Sequence, residues 1–306
     1  MTATGTRRPR HWGRVMSAMV TPFDARGRLD LDAAQQVARW LVAHGNDGLV
    51  VGATTGEATS LSDAERLDLV RAVSQAVTVP VLAGTGSNDT AHSVELTRLA
   101  RGVGAAGVLV VSPYYARPPQ AGIEAHFRAV AAATDLPVML YDVPLRTGRR
   151  VSEGVLLRLL REVPNIVALK DATGDAPAAA ALVAQAGDRL DLYSGDDAMT
   201  LPLLAIGAVG VVGTTTHWTG PQFRQMLDAY TSGAVAEAQA INARLLGSFR
   251  YVNSDESVYA MSVKAMLRTL GLPVGECRLP LPPAPADVEP AARRVWAGLQ
   301  ASAEPG

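Results

Sequence analysis

Residues 165–175 read NIVALKDATGD, and this stretch sets both the fold and the chemical question of the chain. The apolar run 166–169 lies between Pro164 and a Thr-Gly-Asp turn, which is typical of a short buried strand. Lys170 stands at the C-terminal end of this run, where the chain leaves the core. Such an amine must reach solvent, pair with a carboxylate or stay partly desolvated, and only the last option favours chemistry.

The same pattern, an apolar run followed by a segment of helical period, recurs along the chain. The predicted strands are VMSAMVTPF, DGLVVGA, VPVLAGT, GVLVVSP, LPVMLYDVP, NIVALKDA, LDLYSG and VGVVGTTT. These runs are continuous rather than alternating, as expected for parallel strands buried on both faces. Asp32, Ser62, Asp89 and Ser152 stand at positions typical of helix N-caps. Eight strand–helix pairs without a second composition regime predict an α/β fold, a closed (β/α)₈ TIM barrel rather than an open doubly wound sheet.

The strand pattern stops after about residue 233, and three further helical segments follow it. They are AVAEAQAINARLLGSFRYV, SVYAMSVKAMLRTLG and ADVEPAARRVWAGLQAS. We therefore predict an N-terminal extension over residues 1–13, a catalytic barrel over 14–233 and a small C-terminal three-helix domain over 234–306.

The composition is that of an ordinary globular enzyme, with 306 residues, 48% of them hydrophobic, and 28 basic against 29 acidic side chains. A net charge of −1 argues against a nucleic-acid or polyanion partner. The sequence has no apolar run of about 18 residues and no signal peptide after its basic N-terminus. We therefore expect no membrane contact and a cytoplasmic location.

The features that suggest a metal or a cofactor are weak. The single cysteine, Cys277, excludes a disulfide framework, and its Pro-rich context suggests an inert thiol in a reducing compartment. Asp196-Asp197 lacks a further ligand at metal spacing, so a hydrogen-bonded loop is the better interpretation. Gly84-Thr85-Gly86 lacks the third glycine of a dinucleotide motif. The five histidines are scattered and are interpreted as packing or surface residues. We expect neither metal nor cofactor.

Polar residues gather where the predicted strands end, which is the face that carries the active site in such a barrel. A desolvated lysine there has a lowered pKa, and its neutral amine can condense with a carbonyl to form a Schiff base. A nearby tyrosine phenol can shuttle the protons. The Thr54-Thr55-Gly56 turn offers N–H groups and hydroxyls that suit a small carboxylate. A structural or phosphate-binding lysine and a plain tight turn remain the alternatives on this reasoning.

Five motifs, in order and at compatible spacing, resemble the dihydrodipicolinate synthase family of pyruvate-dependent lyases and synthases. They are TTGE (54–57), SPYYARP (112–118), YDVPLRTG (141–148), ALKDATGD (168–175) and YSGDDA (193–198). The resemblance runs from about Val15 to about Gly271. It implies a cofactor-free condensation of pyruvate with L-aspartate 4-semialdehyde, which gives 4-hydroxy-tetrahydrodipicolinate in lysine and diaminopimelate biosynthesis.

The resemblance also implies catalytic roles for four residues. Lys170 matches the lysine that takes pyruvate as a Schiff base. Tyr141 matches the tyrosine that shuttles protons. Thr54 and Tyr115 match its relay partners, and Tyr115 reaches in from a neighbouring subunit. The implied assembly is a homotetramer built as a pair of dimers.

Three further positions match substrate-binding residues of the family. Thr55 matches the site of the pyruvate carboxylate, and Val212 lines the same pocket from the eighth strand. Arg146 matches the arginine at the mouth that engages the carboxylate of the second substrate.

Family members that lysine inhibits hold it at the dimer interface. The corresponding positions here are Ala58, Thr59, Asp63, Arg66, Asn88, His92 and Tyr114. His92 replaces a glutamate that would face the α-ammonium group, and Arg66 adds a cation beside the ligand's own charge. We therefore expect weak or absent inhibition by L-lysine.

Two other functions stay open on the sequence. A sister lyase that cleaves sialic acid or a 2-keto-3-deoxy sugar acid would use the same lysine and tyrosine, but Arg146 suits a short amino acid carboxylate better than a polyol. A catalytically inert barrel is the second alternative, although the catalytic set is intact. Asp142 stands where Asn is common in the family, and the segment 253–266 lacks the usual Asn-Pro-x-Pro element.

Overall fold

The computed structural model describes residues 12–252 and 257–301. Its centre is a closed barrel of parallel strands that follow one another in chain order, with the last strand paired to the first. The strands are β1 (Val15–Ala18), β2 (Gly48–Val51), β3 (Val81–Gly84), β4 (Gly107–Val111), β5 (Val138–Asp142), β6 (Ile166–Asp171), β7 (Asp191–Ser194) and β8 (Gly210–Gly213). Nearly every strand residue is buried, which explains why the apolar runs are continuous. The predicted (β/α)₈ barrel is confirmed.

Helices connect the strands and cover the outside of the barrel. They are α1 (Leu31–Ala43), α2 (Asp63–Ala76), α3 (Thr90–Ala100), α4 (Gln120–Ala131), α5 (Pro144–Thr147), α6 (Glu153–Glu162), α7 (Ala176–Ala186), α8 (Thr200–Ala205) and α9 (Thr216–Thr231). The single turn of α5 directly follows β5 and carries Arg146 toward the barrel mouth. Across the described ranges, we find no helix whose length and apolar character would let it cross a bilayer.

The helix N-caps follow the sequence prediction with one exception. Ser62, Asp89 and Ser152 stand at N-caps as predicted. Asp32 does not, because α1 already begins at Leu31 and the N-cap is Asp30, whose side chain accepts the Ala33 N–H at 2.9 Å. Asp32 lies instead in the first turn of α1, where a carboxylate faces the positive end of the helix dipole.

Three C-terminal helices follow the barrel: α10 (Val235–Val252), α11 (Tyr259–Thr269) and α12 (Val288–Ala301). Their apolar side chains, among them Ile241, Leu245 and Val263, belong to the same buried cluster as the outer layer of the barrel. The ring centroids of Phe223 on α9 and Phe249 on α10 are 6.0 Å apart. The predicted C-terminal helices are therefore present, and they share one core with the barrel.

The inside of the barrel is filled by side chains. The interior cluster includes Met16, Ala18, Val50, Leu82, Leu109, Met139, Val167, Tyr193 and Val212. Trp12, which the sequence assigned to the N-terminal extension, belongs to this cluster and is 2% exposed. Its Nε1 donates to the Ala106 carbonyl at 3.4 Å, and a Cβ on Gly107 would lie 2.6 Å from its ring. Trp12 therefore closes the end of the barrel where the strands begin, and the functional site can open only at the other end.

Candidate active site

Lys170 and Tyr141 lie side by side at the C-terminal ends of β6 and β5. They are direct partners in the parallel register, so their side chains leave the sheet on the same face. The Lys170 Nζ lies 4.4 Å from the centroid of the Tyr141 ring. The residues that the sequence assigned to imine chemistry and proton transfer are therefore in contact.

The Lys170 amine is desolvated and has no carboxylate of its own. The residue is 4% exposed, and within the described part of the chain it takes part in none of the ion pairs. Burial lowers the pKa of Lys170 to about 8, an effect that the Asp197 charge opposes and the Arg146 charge reinforces. At pH 7 about a tenth of the amine is then neutral, against roughly one part in a thousand or less for an exposed lysine. Lys170 is therefore suited to act as a nucleophile.

Gly195, just after β7, makes room for the Lys170 side chain. A Cβ at this position would lie 2.9 Å from Lys170 Cγ and 3.1 Å from the Asp171 carbonyl oxygen. The glycine of the YSGDDA motif is thus required by close packing against the lysine.

The Tyr141 phenol stays protonated at neutral pH. Burial raises the pKa of Tyr141 above its ordinary value, and the positive charge of Arg146 only partly opposes this. A protonated phenol in contact with the amine can donate a proton and take one back, which is the role of a general acid–base group.

A cavity of about 80 Å³ surrounds Lys170 at the barrel mouth. Most of the predicted site residues line it, namely Lys170, Tyr141, Thr54, Thr55 and Arg146. They come from the ends of β2, β5 and β6 and from α5, as expected where the strands of a barrel end.

The turn that carries Thr54 and Thr55 is rigidly held. The Glu57 N–H donates to the Thr54 carbonyl at 3.1 Å, and Glu57 has a left-handed backbone with φ 55°. The Thr21 hydroxyl donates to the Gly56 carbonyl at 2.6 Å. Thr54 is exposed and Thr55 is buried, so the two side chains face different surroundings.

Arg146 lies against a tyrosine that sequence reasoning missed. Its Cζ is 4.9 Å from the ring centroid of Tyr259, which begins α11 and lines the same cavity as Lys170. Burial raises the pKa of the Tyr259 phenol, and the Arg146 charge opposes it. One sequence signal pointed toward this contact, because Tyr259 lies in the segment that lacks the Asn-Pro-x-Pro element of the family.

Asp197 ties the loop after β7 to the turn after β8. Its carboxylate accepts hydrogen bonds from the backbone N–H groups of Thr214 and Thr215 and from the Thr215 hydroxyl, at 2.8–3.2 Å. Asp196-Asp197 is thus part of a hydrogen-bonded loop, as predicted. Among the described residues no group of three His, Cys, Asp or Glu side chains could hold a metal ion.

Asp142 follows Tyr141 and is buried behind the sheet. Its Oδ2 accepts the Val151 N–H at 3.2 Å, whereas its Oδ1 has no hydrogen-bond partner among the described residues. Burial raises the pKa of Asp142 to about 7, and Asp171, its register partner, adds to the rise. Near neutral pH the side chain is therefore about half protonated, and its protonated form is uncharged like asparagine.

Two predicted site residues lie outside the cavity. Tyr115 is 90% exposed and has a left-handed backbone with φ 71°, so it reaches no group of the site within its own chain. Val212 is fully buried in the interior cluster that also contains Tyr141. The residue that lines the cavity after β8 is Thr214.

Other polar groups have structural roles. The Cys277 thiol is half-buried, and its desolvation raises its pKa to about 12, so it stays protonated and inert. His217 is fully buried, with Nδ1 2.7 Å from the Thr214 carbonyl and Nε2 accepting the Val20 N–H at 3.2 Å. Burial lowers the pKa of His217 to about 4. This histidine is a neutral packing residue, as predicted.

Comparison with known proteins decides the family. The Dihydrodipicolinate synthetase family matches residues 11–296. The chain belongs to this family. A 4-hydroxy-tetrahydrodipicolinate synthase of Acidothermus cellulolyticus is 51% identical over 286 residues, which cover 93% of this chain and 91% of that protein. The 4-hydroxy-tetrahydrodipicolinate synthase 2 of Streptomyces coelicolor is 50% identical over 272 residues, which cover 88% and 89%.

Comparison with solved structures supports the same family assignment. The crystal structure of DHDPS from Cyanidioschyzon merolae with lysine bound matches with a TM-score of 0.92 at 39% identity, over 95% of this chain and 99% of that chain. The predicted family, fold and enzyme class are therefore confirmed, and the role of each site residue stays a prediction.

Proposed function

We propose that this enzyme condenses pyruvate with L-aspartate 4-semialdehyde to give 4-hydroxy-tetrahydrodipicolinate, a step of lysine and diaminopimelate biosynthesis. The observation that carries the proposal is the Lys170 amine, which is buried, forms no ion pair with a carboxylate among residues 12–252 and 257–301, and lies 4.4 Å from the centroid of the Tyr141 ring. The names of the relatives support the same reaction.

The neutral Lys170 amine attacks the ketone carbon of pyruvate, and loss of one water leaves an imine. Removal of a proton from the pyruvate methyl group gives an enamine. The enamine forms a carbon–carbon bond to the aldehyde carbon of the second substrate. The amino group of that substrate then attacks the imine carbon, which closes the ring and releases Lys170. Tyr141 moves protons in these steps, with Thr54 as its relay partner.

The two substrate carboxylates bind at different parts of the mouth. The pyruvate carboxylate takes hydrogen bonds from the Thr55 side of the turn after β2, and Val212 packs under this pocket. Arg146 binds the carboxylate of the semialdehyde by charge-assisted hydrogen bonds. The contact of Arg146 with the Tyr259 ring supports this role, since it keeps the guanidinium at the mouth.

We also propose that Tyr115 completes the site of a neighbouring subunit. A second cavity of about 240 Å³ is lined by Tyr114 and shares Thr54 and Tyr141 with the cavity around Lys170. A tyrosine that is exposed in its own chain suits such a cavity, where it would meet both the hydroxyl and the phenol of the relay. The assembly is then a homotetramer, a pair of dimers. Light scattering at micromolar concentration tests it, and full activity from a single chain would contradict it.

The decisive experiment combines trapping with turnover. Borohydride reduction in the presence of pyruvate should add one pyruvate-sized mass to Lys170, whereas an inert barrel would take up none. Coupled turnover with L-aspartate 4-semialdehyde then identifies the second substrate. Trapping of pyruvate without this turnover, together with cleavage of sialic acid or a 2-keto-3-deoxy sugar acid, would favour the sister lyase instead.

We propose a cytoplasmic location for the enzyme. The chain has a single cysteine, Cys277, and no internal disulfide can form, which supports a reducing compartment. Cell fractionation tests the location.

A further inference from the structure

A second buried lysine lies next to the turn that carries Thr54 and Thr55. Lys264, on α11, pairs with Glu57, with 2.6 Å between Nζ and Oε1 and both side chains 1% exposed. Glu57 is the residue that closes the turn after β2. This ion pair therefore joins the C-terminal helices to the barrel mouth.

Backbone groups fix both partners of the pair. Lys264 Nζ donates to the Glu276 carbonyl at 2.9 Å, and Glu57 Oε2 accepts the Arg278 N–H at 2.8 Å. The Phe23 ring lies against both cations, with its centroid 4.3 Å from Lys264 Nζ and 4.2 Å from Arg278 Cζ. The segment 264–278 thus holds the Glu57 carboxylate through both of its oxygens.

Arg278 carries the connection on to the start of α2. Its Nη2 lies 2.6 Å from Glu65 Oε1, and its Nη1 donates to the Ser60 carbonyl at 3.0 Å. Glu57 and the residues that follow it up to the start of α2 are therefore tied to the C-terminal segment, which fixes the chain directly after the Thr54-Thr55 turn.

Stability alone does not explain this arrangement. Replacing a buried ion pair by apolar side chains of similar volume is often neutral or stabilising. Glu57 also has a left-handed backbone, which is unfavourable for a residue with a side chain. The buried Lys264–Glu57 pair and the left-handed backbone of Glu57 both occur directly after the turn that lines the cavity around Lys170. Two unfavourable features at this one place indicate a role in function.

We propose that Lys264 is a positioning residue that acts through Glu57 to hold the Thr54-Thr55 turn in the geometry that binds the pyruvate carboxylate. The inference rests on the proposed function, because it takes pyruvate as the first substrate. Lys170 is anchored separately on β6, so a loosened turn weakens pyruvate binding and leaves the chemistry at the amine intact.

The test is a double variant, Glu57→Gln/Lys264→Met, which removes both charges together and leaves no unpaired ion in the core. We expect the KM for pyruvate to rise about tenfold or more, the effect of losing one charge-assisted hydrogen bond. The kcat should stay within about threefold and the KM for the semialdehyde should be unchanged. Borohydride trapping over a range of pyruvate concentrations should show the same shift without any turnover.

Glu124→Gln is the control, because it removes a largely buried carboxylate that pairs with Arg128 and Arg158 at 2.7 Å between α4 and α6, outside the segment 264–278. A pyruvate KM within about twofold of the wild type in the double variant would overturn the inference, and so would an equal shift in Glu124→Gln. If the double variant does not fold, Glu57→Asp, which keeps both charges and draws the carboxylate back by one methylene, is judged by the same criteria. Absence of a pyruvate adduct in the wild-type enzyme would overturn the proposed function and this inference with it.

Discussion

The chain has only two lysines, Lys170 and Lys264, and both are buried against an aromatic ring. Lys264 pairs with Glu57 at 2.6 Å, whereas Lys170 has no such partner in the described part of the chain. Burial lowers the pKa of both amines, and a carboxylate charge opposes this lowering in each case: Glu57 in direct contact with Lys264, and Asp197 without an ion pair to Lys170. Burial alone therefore does not make a lysine reactive. Lys170 differs from Lys264 in that no carboxylate among the described residues forms an ion pair with its amine.

The aromatic rings beside the two amines also differ in a way that favours reaction at Lys170. Tyr141 beside Lys170 has a hydroxyl group that can exchange protons, and Phe23 beside Lys264 has none. All other cationic side chains of the chain are arginine or histidine, which do not form a Schiff base with pyruvate. The chemistry is thus confined to one amine by the partners of each lysine.

The strongest test of this comparison removes one lysine at a time. Lys170→Ala should abolish the borohydride-trapped pyruvate adduct and lower turnover by about 10³-fold or more, because the covalent nucleophile is gone. Lys264→Met should keep the adduct on Lys170. Mass spectrometry of the reduced protein checks both, and an adduct retained in Lys170→Ala would break the comparison.

The free energy of unfolding should depend more on Lys264 than on Lys170, the reverse of their effects on turnover. Lys264→Met leaves Glu57 buried without a counter-charge and should lower the free energy of unfolding by about 3–5 kcal/mol. Lys170→Met should raise it at pH 7 by up to about 3 kcal/mol, since the folded state disfavours the charged amine. This second effect is fully present below pH 8 and disappears as the pH rises through the ordinary lysine pKa. Urea unfolding measures both, and similar losses would contradict the assignment.

Replacing the ring beside the reactive amine makes the two sites alike. Tyr141→Phe keeps the shape of the ring and removes its proton, so turnover should fall by about 10²-fold, the usual scale for a general acid–base group. Steady-state kinetics at saturating substrates checks this. Turnover within about threefold of the wild type would remove Tyr141 from the mechanism.

The pH dependence should report the desolvated amine. Imine formation requires neutral Lys170, so its rate should rise about tenfold per pH unit below pH 8 and level off above it. Borohydride trapping at short times and a fixed low pyruvate concentration follows this step. A midpoint near the ordinary lysine pKa would show that the amine is solvated.

A third buried cation, Arg66, should have the smallest effect. Its Nη2 donates to the Ala58 carbonyl at 2.5 Å, and Asp63 nearby is already paired with His92 at 2.8 Å. The missing glutamate and the added cation should weaken L-lysine binding about ten- to hundred-fold relative to inhibited members of the family. A dose–response curve at saturating pyruvate checks this, and half-inhibition below the millimolar range would contradict it.

The sequence predicted the features that follow from local pattern. The strands were readable because each is one continuous apolar run, and the barrel topology then brought Lys170, Tyr141 and Thr54 to one mouth. Asp30 and Asp32 both suit an N-cap, and only the backbone decides between them. The pattern alone cannot make that choice.

What the sequence did not predict depends on how distant segments dock. A lysine in a helical pattern such as SVYAMSVKAM is normally placed at the surface, and nothing local indicates that Lys264 meets Glu57. Tyr259 reaches Arg146 only because α11 packs beside the mouth. Trp12 precedes the first strand, so no periodicity indicates that it is buried.

Trp12 also affects the path by which substrates and water reach Lys170. It fills the floor of the barrel, and buried side chains pack the interior above it, so among the described residues the cavity around Lys170 is reached from the mouth. Under the proposed function, the water released by imine formation must leave by the path that the semialdehyde then takes. A semialdehyde seated on Arg146 would stand between Lys170 and the solvent. Pyruvate therefore binds before the semialdehyde, and this binding order follows from the shared entrance at the barrel mouth.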